Sequence, residues 1–208
     1  MSTLTQESRT IWLYIVGLAS ILDEARRQES DLPSLADTRR ETKKILKDAH
    51  EFLLERTSER NAYFVIFALV ALTDESMQEY VQRHPPDTWL PLQTELFEIT
   101  DAGTLFYQYI DYFRGRNDIP VIIYEVFYYC LKDGYKGSKI ADPTLRTAYM
   151  EELKVHIPTE KDQPIDTRTM VTEHAQRRIP IYAYYLIASV ILLAFRFGLE
   201  LIPLNINI

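Results

Sequence analysis

The 208-residue chain reads as an all-α domain followed by one C-terminal membrane-spanning helix, on three observations. Only six glycines are present. Apolar residues recur over long runs with the spacing of one helical face, and no stretch shows the strict alternation of a half-buried strand. Near the end, IPIYAYYLIASVILLAF (residues 179–195) carries no charge at all.

The elements follow in order, about seven to eight helices in all. Ile11, Trp12, Ile15, Val16, Ala19 and Leu22 draw one stripe on a first helix, which DLPS (31–34) ends. A second, strongly charged helix is expected from about Ser34 to Arg56, with Leu35, Ile45, Leu46, Phe52 and Leu53 turned inward. Ser58 is a fitting N-cap for a third. Its run AYFVIFALVAL (62–72) is apolar on every side, the pattern of a central, buried helix. HPPD (84–87) is a firm break, because consecutive prolines cannot continue a helix. Short helices are then expected over Leu92–Ile99 and Ala102–Phe113, and a longer one over Ile119–Lys132 that stops at Gly134, a left-handed capping position. GYKGSKIADP (134–143) reads as an exposed loop and Pro143–Val155 as a further helix. HIPTEKDQPIDTR (156–168) has a linker composition.

A hydrophobic fraction of 47% and a charged fraction of 25% are those of an ordinary globular protein. The net charge of −7 argues against a general nucleic-acid binder, which needs a basic face for phosphates. A single cysteine, Cys130, excludes an intramolecular disulfide and a cysteine-rich zinc site. MSTLTQESRTIWLY lacks a basic region followed by an apolar core, so no signal peptide is expected.

A membrane span needs about 20 mainly apolar residues. Residues 179–199 supply that length with one charge, Arg196. The Ile, Leu, Val and Phe residues between Ile179 and Phe195 contribute roughly −3 to −5 kcal/mol of insertion free energy. An arginine near the far end costs less than one at the centre, because its stem reaches the headgroups. Arg177 and Arg178 precede Pro180, and Tyr182, Tyr184 and Tyr185 form an interfacial belt, so the positive-inside rule puts the body in the cytoplasm. The alternative is a C-terminal helix buried in the core. The boundaries expected are a helical domain over 1–176, an anchor over 177–201 and a short periplasmic tail over 202–208.

Chemistry is sparse. His50, His84, His156 and His174 form no H-x-x-x-H pair, so no metal is expected. No nucleophile-elbow or P-loop motif occurs, no cofactor is implied, and Cys130 reads as a small buried hydrophobe. TDES (73–76) is the sharpest polar feature. Asp74 and Glu75 are adjacent, so on a helix they diverge by about 100° and cannot form a facing carboxylate pair. They read as a helix end returning to solvent, or as acids holding a loop or a partner. A small membrane-bound enzyme using these acids is the rival from another class, and it lacks a neighbouring nucleophile or metal set. Phe106, Tyr107, Tyr109, Tyr112, Phe113, Tyr124, Phe127, Tyr128 and Tyr129 make an aromatic concentration, mostly core, with some rings expected to line a groove between helices.

Four ordered motifs carry a family resemblance. ALVALTDESMQ (68–78), then Trp89, LQTELFEITDAGTLFYQYID (92–111) and EVFYYCLKDGYKG (125–137) together resemble the DotU/TssL family, and RRIPIYAYYL resembles that family's entry into a C-terminal span. The matching residues are Ala71, Asp74 and Glu75; Trp89; Leu96, Phe97, Ala102, Gly103, Phe106 and Tyr107; and Tyr128, Cys130, Leu131, Gly134, Tyr135 and Gly137. The resemblance implies a hook-shaped helical domain, tail-anchored in the bacterial inner membrane, single-pass, with its N-terminal domain cytoplasmic. It implies a non-enzymatic structural component of a type VI secretion system, or alternatively of a type IVB (Dot/Icm) system. The partners implied are an IcmF/TssM-family membrane protein, a baseplate component in the type VI case, and further copies of the chain. Asp74, Glu75, Trp89, Phe106, Tyr107, Tyr135 and Gly137 are then candidates for binding a partner or holding a loop. Two departures stand out. Ser138 and Lys139 follow Gly137, where the family commonly has an aromatic or arginine-rich pair. The sequence also runs only a few residues past the span, so wall attachment is expected from another subunit.

Overall fold

The computed structural model describes residues 3–27, 34–137 and 142–158, all within one compact unit. Among these residues are seven helices: α1 (Thr3–Arg26), α2 (Leu35–Leu54), α3 (Glu59–Arg83), α4 (Leu92–Phe97), α5 (Ala102–Phe113), α6 (Val121–Lys132) and α7 (Pro143–Val155). The anchor residues Arg177, Arg178, Pro180, Tyr182, Tyr184, Tyr185 and Arg196 lie outside the described residues. Among the described helices none is long and apolar enough to cross a membrane.

α3 is the axis. Ala62 and every residue from Phe64 to Asp74 are buried, and α1, α2, α4, α5 and α6 all pack against it. A helix apolar on all sides is stable only when neighbours cover all sides, which is how one long helix organises the rest. Ser58 caps it, its hydroxyl accepting from the Asn61 N–H, and Ser34 caps α2 through the Asp37 N–H. α6 ends in a Schellman turn: the Tyr135 N–H reaches the Cys130 carbonyl and the Gly134 N–H reaches that of Leu131, with Gly134 at φ +105°.

Some expectations need correction. On α1 the buried stripe is Ile11, Ile15, Leu18, Leu22 and Ala25. Val16 is 62% exposed, because a step of 3.6 residues per turn puts position 18, not 16, back over 11 and 15. α3 does not end at TDES but runs to Arg83, since its neighbours bury and satisfy those polar groups. α2 stops at Leu54 and α6 starts at Val121, behind Pro120. α4 stops at Phe97, where Glu98 turns left-handed at φ 58°. The segment after Gly134 is not simply an exposed loop, for Tyr135 is among the largest fully buried side chains.

Candidate functional site: a polar junction on the central helix

Asp74, Glu75 and Ser76 stand at the middle of α3. Neighbours on a helix point about 100° apart. The divergence that rules out a facing carboxylate pair lets three consecutive residues reach three different parts of the fold.

Asp74 is buried and takes the first direction. Its Oδ1 accepts from the Trp89 indole at 2.8 Å and from the Leu92 N–H at 2.7 Å, and its Oδ2 accepts from the Gln93 N–H at 2.8 Å. Leu92 and Gln93 open α4, whose own capping position is Pro91 and offers no side-chain bond. The first N–H groups of a helix lack internal partners and carry partial positive charge. Asp74 supplies the missing cap from another helix. Gln78 adds a bond to the Trp89 carbonyl at 3.0 Å, and Gln93 passes the connection on by accepting from the Ala102 N–H that opens α5, at 2.7 Å.

Glu75 takes the second direction, its two oxygens accepting from the N–H groups of Lys136 and Gly137, each at 2.7 Å. The Tyr107 hydroxyl donates to the Lys136 carbonyl at 2.7 Å, and the Lys136 ammonium pairs with Glu79. Gly137 sits at φ +64°, and a β-carbon there would lie 2.9 Å from the Gly103 carbonyl oxygen. Only glycine meets both demands without strain. Ser76 takes the third direction. Arg26 of α1 donates to its hydroxyl at 2.9 Å and to the Asp133 carboxylate at the end of α6 at 2.7 Å.

Burial pushes the Asp74 carboxyl above the usual aspartate range, opposed by the Trp89, Gln93 and Leu92 donors. Burial raises Glu75 as well, opposed by Gly137 and Lys136. The Cys130 thiol, fully buried, is pushed well up by the same cause and donates to the Ala68 carbonyl. All four carboxylate oxygens of Asp74 and Glu75 thus accept from N–H groups of the fold. Among the described residues no cluster of His, Cys, Asp and Glu could hold a metal ion.

The aromatic candidates are interior. Phe106 packs between Phe127 (4.6 Å between ring centroids) and Tyr135 (4.5 Å), and Trp89, Tyr107 and Tyr135 are buried. None of the nine aromatic residues expected to supply groove-lining rings is among those lining the open cavity between α2, α3 and α4, where Tyr63 and Phe97 stand instead. Nothing in the sequence singles out Arg26, Gln78 or Gln93. Each is an ordinary polar residue whose partner lies elsewhere in the chain, as with Arg26 and Asp133, 107 positions apart.

The described residues thus form an all-helical domain built around a buried polar junction. Comparison with known proteins is more specific. The family model described as "Type VI secretion system protein DotU" matches residues 16–202, and the chain belongs to that DotU/TssL family. Among solved structures it is similar to DotU from Francisella novicida, at 24% identity and a TM-score of 0.61 over 70% of this chain and 98% of that one. It is also similar to SciP/TssL of the type VI system from enteroaggregative Escherichia coli 042, at 20% identity and a TM-score of 0.58 over 79% of this chain and 98% of that one. Both likenesses are of fold. No curated protein matches the chain by sequence.

Proposed function

We propose that this type VI secretion component is a non-enzymatic docking subunit. Residues 177–201 hold it in the bacterial inner membrane, with the helical domain on the cytoplasmic side and an IcmF/TssM-family protein as its membrane partner. The observation that carries the reading is the extent of the family match, which runs through residue 202 and so includes the uncharged stretch 179–195. The junction on α3 supports the non-enzymatic part, because its acids are engaged by backbone N–H groups and by Trp89. Baseplate contact and association with further copies belong to the same proposal.

Truncation after Arg178 tests it. The full chain should stay with the membrane pellet on alkaline carbonate extraction and co-purify with the IcmF/TssM-family partner. The truncated chain should appear in the supernatant and fail to support secretion. Full-length protein released by carbonate would overturn the anchor.

A further inference from the structure

An open groove of about 730 Å³ lies between α2, α3 and α4. Its floor and far wall are apolar, formed by Leu46, Tyr63, Ile66, Leu96 and Phe97. Leu96 is 42% exposed, an unusual position for a leucine beside an apolar hollow that nothing covers among the described residues. The α2 edge is basic: Arg40, Lys43, Lys44 and Lys47 line it, against the acids Asp48 and Glu59. This is a local excess of positive charge on a chain whose net charge is −7.

Arg40, Lys44 and Lys47 are exposed, while Lys43 is half-buried and shares Glu95 with Arg39. Arg40 pairs with Asp37 one turn away, Lys47 lies 3.7 Å from Glu51, and Lys43 meets Glu95 of α4. The local pairs of Arg40 and Lys47 contribute little to stability, so a partner can replace them at small cost. Arg40, Lys43 or Lys44, and Lys47 follow at i, i+3 or i+4, and i+7, a line about 10 Å long parallel to the groove. A small acid would neutralise one of them. A helix laid in the groove could place apolar residues on the floor and a carboxylate every turn against the whole line, the helix-in-groove mode of recognition.

We propose that this groove docks an acidic amphipathic helix of a partner protein. The local charge sets its register and excludes basic segments, while the acidic remainder of the surface disfavours the same helix elsewhere. The proposal rests on the docking reading above by naming a surface for it, yet its test is independent of membrane anchoring.

The test uses the full chain in mild detergent and fluorescent 18-residue helical peptides. One carries leucines on one face flanked by glutamates; a second has lysine at every glutamate. Anisotropy should show saturable binding of the acidic peptide, weakening by about tenfold or more between low and high salt. The lysine peptide should bind at least about tenfold more weakly. Lys44→Glu with Lys47→Glu, both exposed, should reverse that preference while the circular dichroism spectrum stays unchanged. Leu96→Ser should weaken both peptides and leave the charge preference in place. Equal binding of the two peptides, no binding of the acidic one at about millimolar concentration, or an unaltered preference in the charge-reversed variant would each overturn the proposal. So would full displacement of the acidic peptide by stoichiometric dodecanoate, which would make the groove a lipid site. Release of the full-length chain by carbonate, with peptide binding intact, would overturn the anchor and leave the groove standing; retention in the pellet with no peptide binding would do the reverse.

Discussion

Two groups of charged residues sit on adjacent helices and do opposite work. On α3, Asp74 and Glu75 are drawn into the fold, and their oxygens accept from N–H groups that open α4 and from the chain that follows α6. On α2, Arg40, Lys44 and Lys47 stay in water with partners no farther than a turn away, or none. A charge taken out of water must be matched by fixed dipoles or the fold does not form. A charge left in water costs nothing to keep and is free for another molecule. Composition alone does not separate the two kinds; burial does.

Removing the buried side of this contrast should have the largest effect. Asp74→Ala leaves the Trp89 indole and two helix-opening N–H groups without a partner, at a cost of about 3 kcal/mol or more. Denaturant unfolding should show a lower midpoint with a similar slope, and Trp89 fluorescence should change. A loss as small as that of a surface lysine would show that the Asp74 hydrogen bonds do not hold the fold. Gly137→Ala comes next, at about 2 kcal/mol, since the left-handed φ and the approach to the Gly103 carbonyl both oppose a β-carbon. It should release the chain after Tyr135, measurable as faster amide exchange at Lys136 and Gly137.

Glu75→Gln is smaller, about 1 kcal/mol at neutral pH, because an amide oxygen can still accept one of the two bonds. Its value lies in the pH dependence. Burial raises the folded-state values of Asp74 and Glu75, so above about pH 4 the native state holds protons that the unfolded chain has released. Where the native state binds more protons, stability falls as pH rises. The contribution of these two groups is therefore fully present below their unfolded values and is lost as pH rises through the folded ones. Acids held down by hydrogen bonds at the surface, such as Asp118, run the other way. Asp118, held down to about 2 by Arg116 and then by Arg60, contributes above its unfolded value and loses that contribution as pH falls. Asp74→Asn with Glu75→Gln should narrow its stability gap to the native chain as pH is raised from 4 to 7, measured by urea unfolding at each pH. A gap that widens would mean that hydrogen bonding to the carboxylates outweighs their burial.

The smallest effect belongs to α2. Lys44→Glu with Lys47→Glu should change folding stability by no more than about 0.5 kcal/mol, by thermal unfolding, while altering peptide binding. A large loss of stability would show that the basic edge is part of the fold after all.

Much of the helical plan was legible along the chain. Ser34 and Ser58 marked helix starts, the prolines at 85 and 86 a break, Gly134 a stop, and the all-round apolar run of 62–72 the central helix. These are local signals, set by φ preferences, capping and periodicity within a few residues. The family resemblance was legible in the same way, as motifs whose order and spacing survive without any knowledge of contacts.

What TDES does was not legible. A polar cluster after eleven uncharged residues looks like a helix returning to solvent, because sequence shows only what the chain carries and not what arrives from elsewhere. Trp89, Leu92 and Gln93 arrive on one side, Lys136 and Gly137 on another, and Arg26 with Asp133 on a third. The same holds for Tyr135, which local reading places in an exposed loop and packing against Phe106 draws inside. Local backbone chemistry determined where the helices begin and end. Tertiary structure alone decided which charges are interior, because the free energy of a charge depends on what surrounds it and not on its neighbours along the chain.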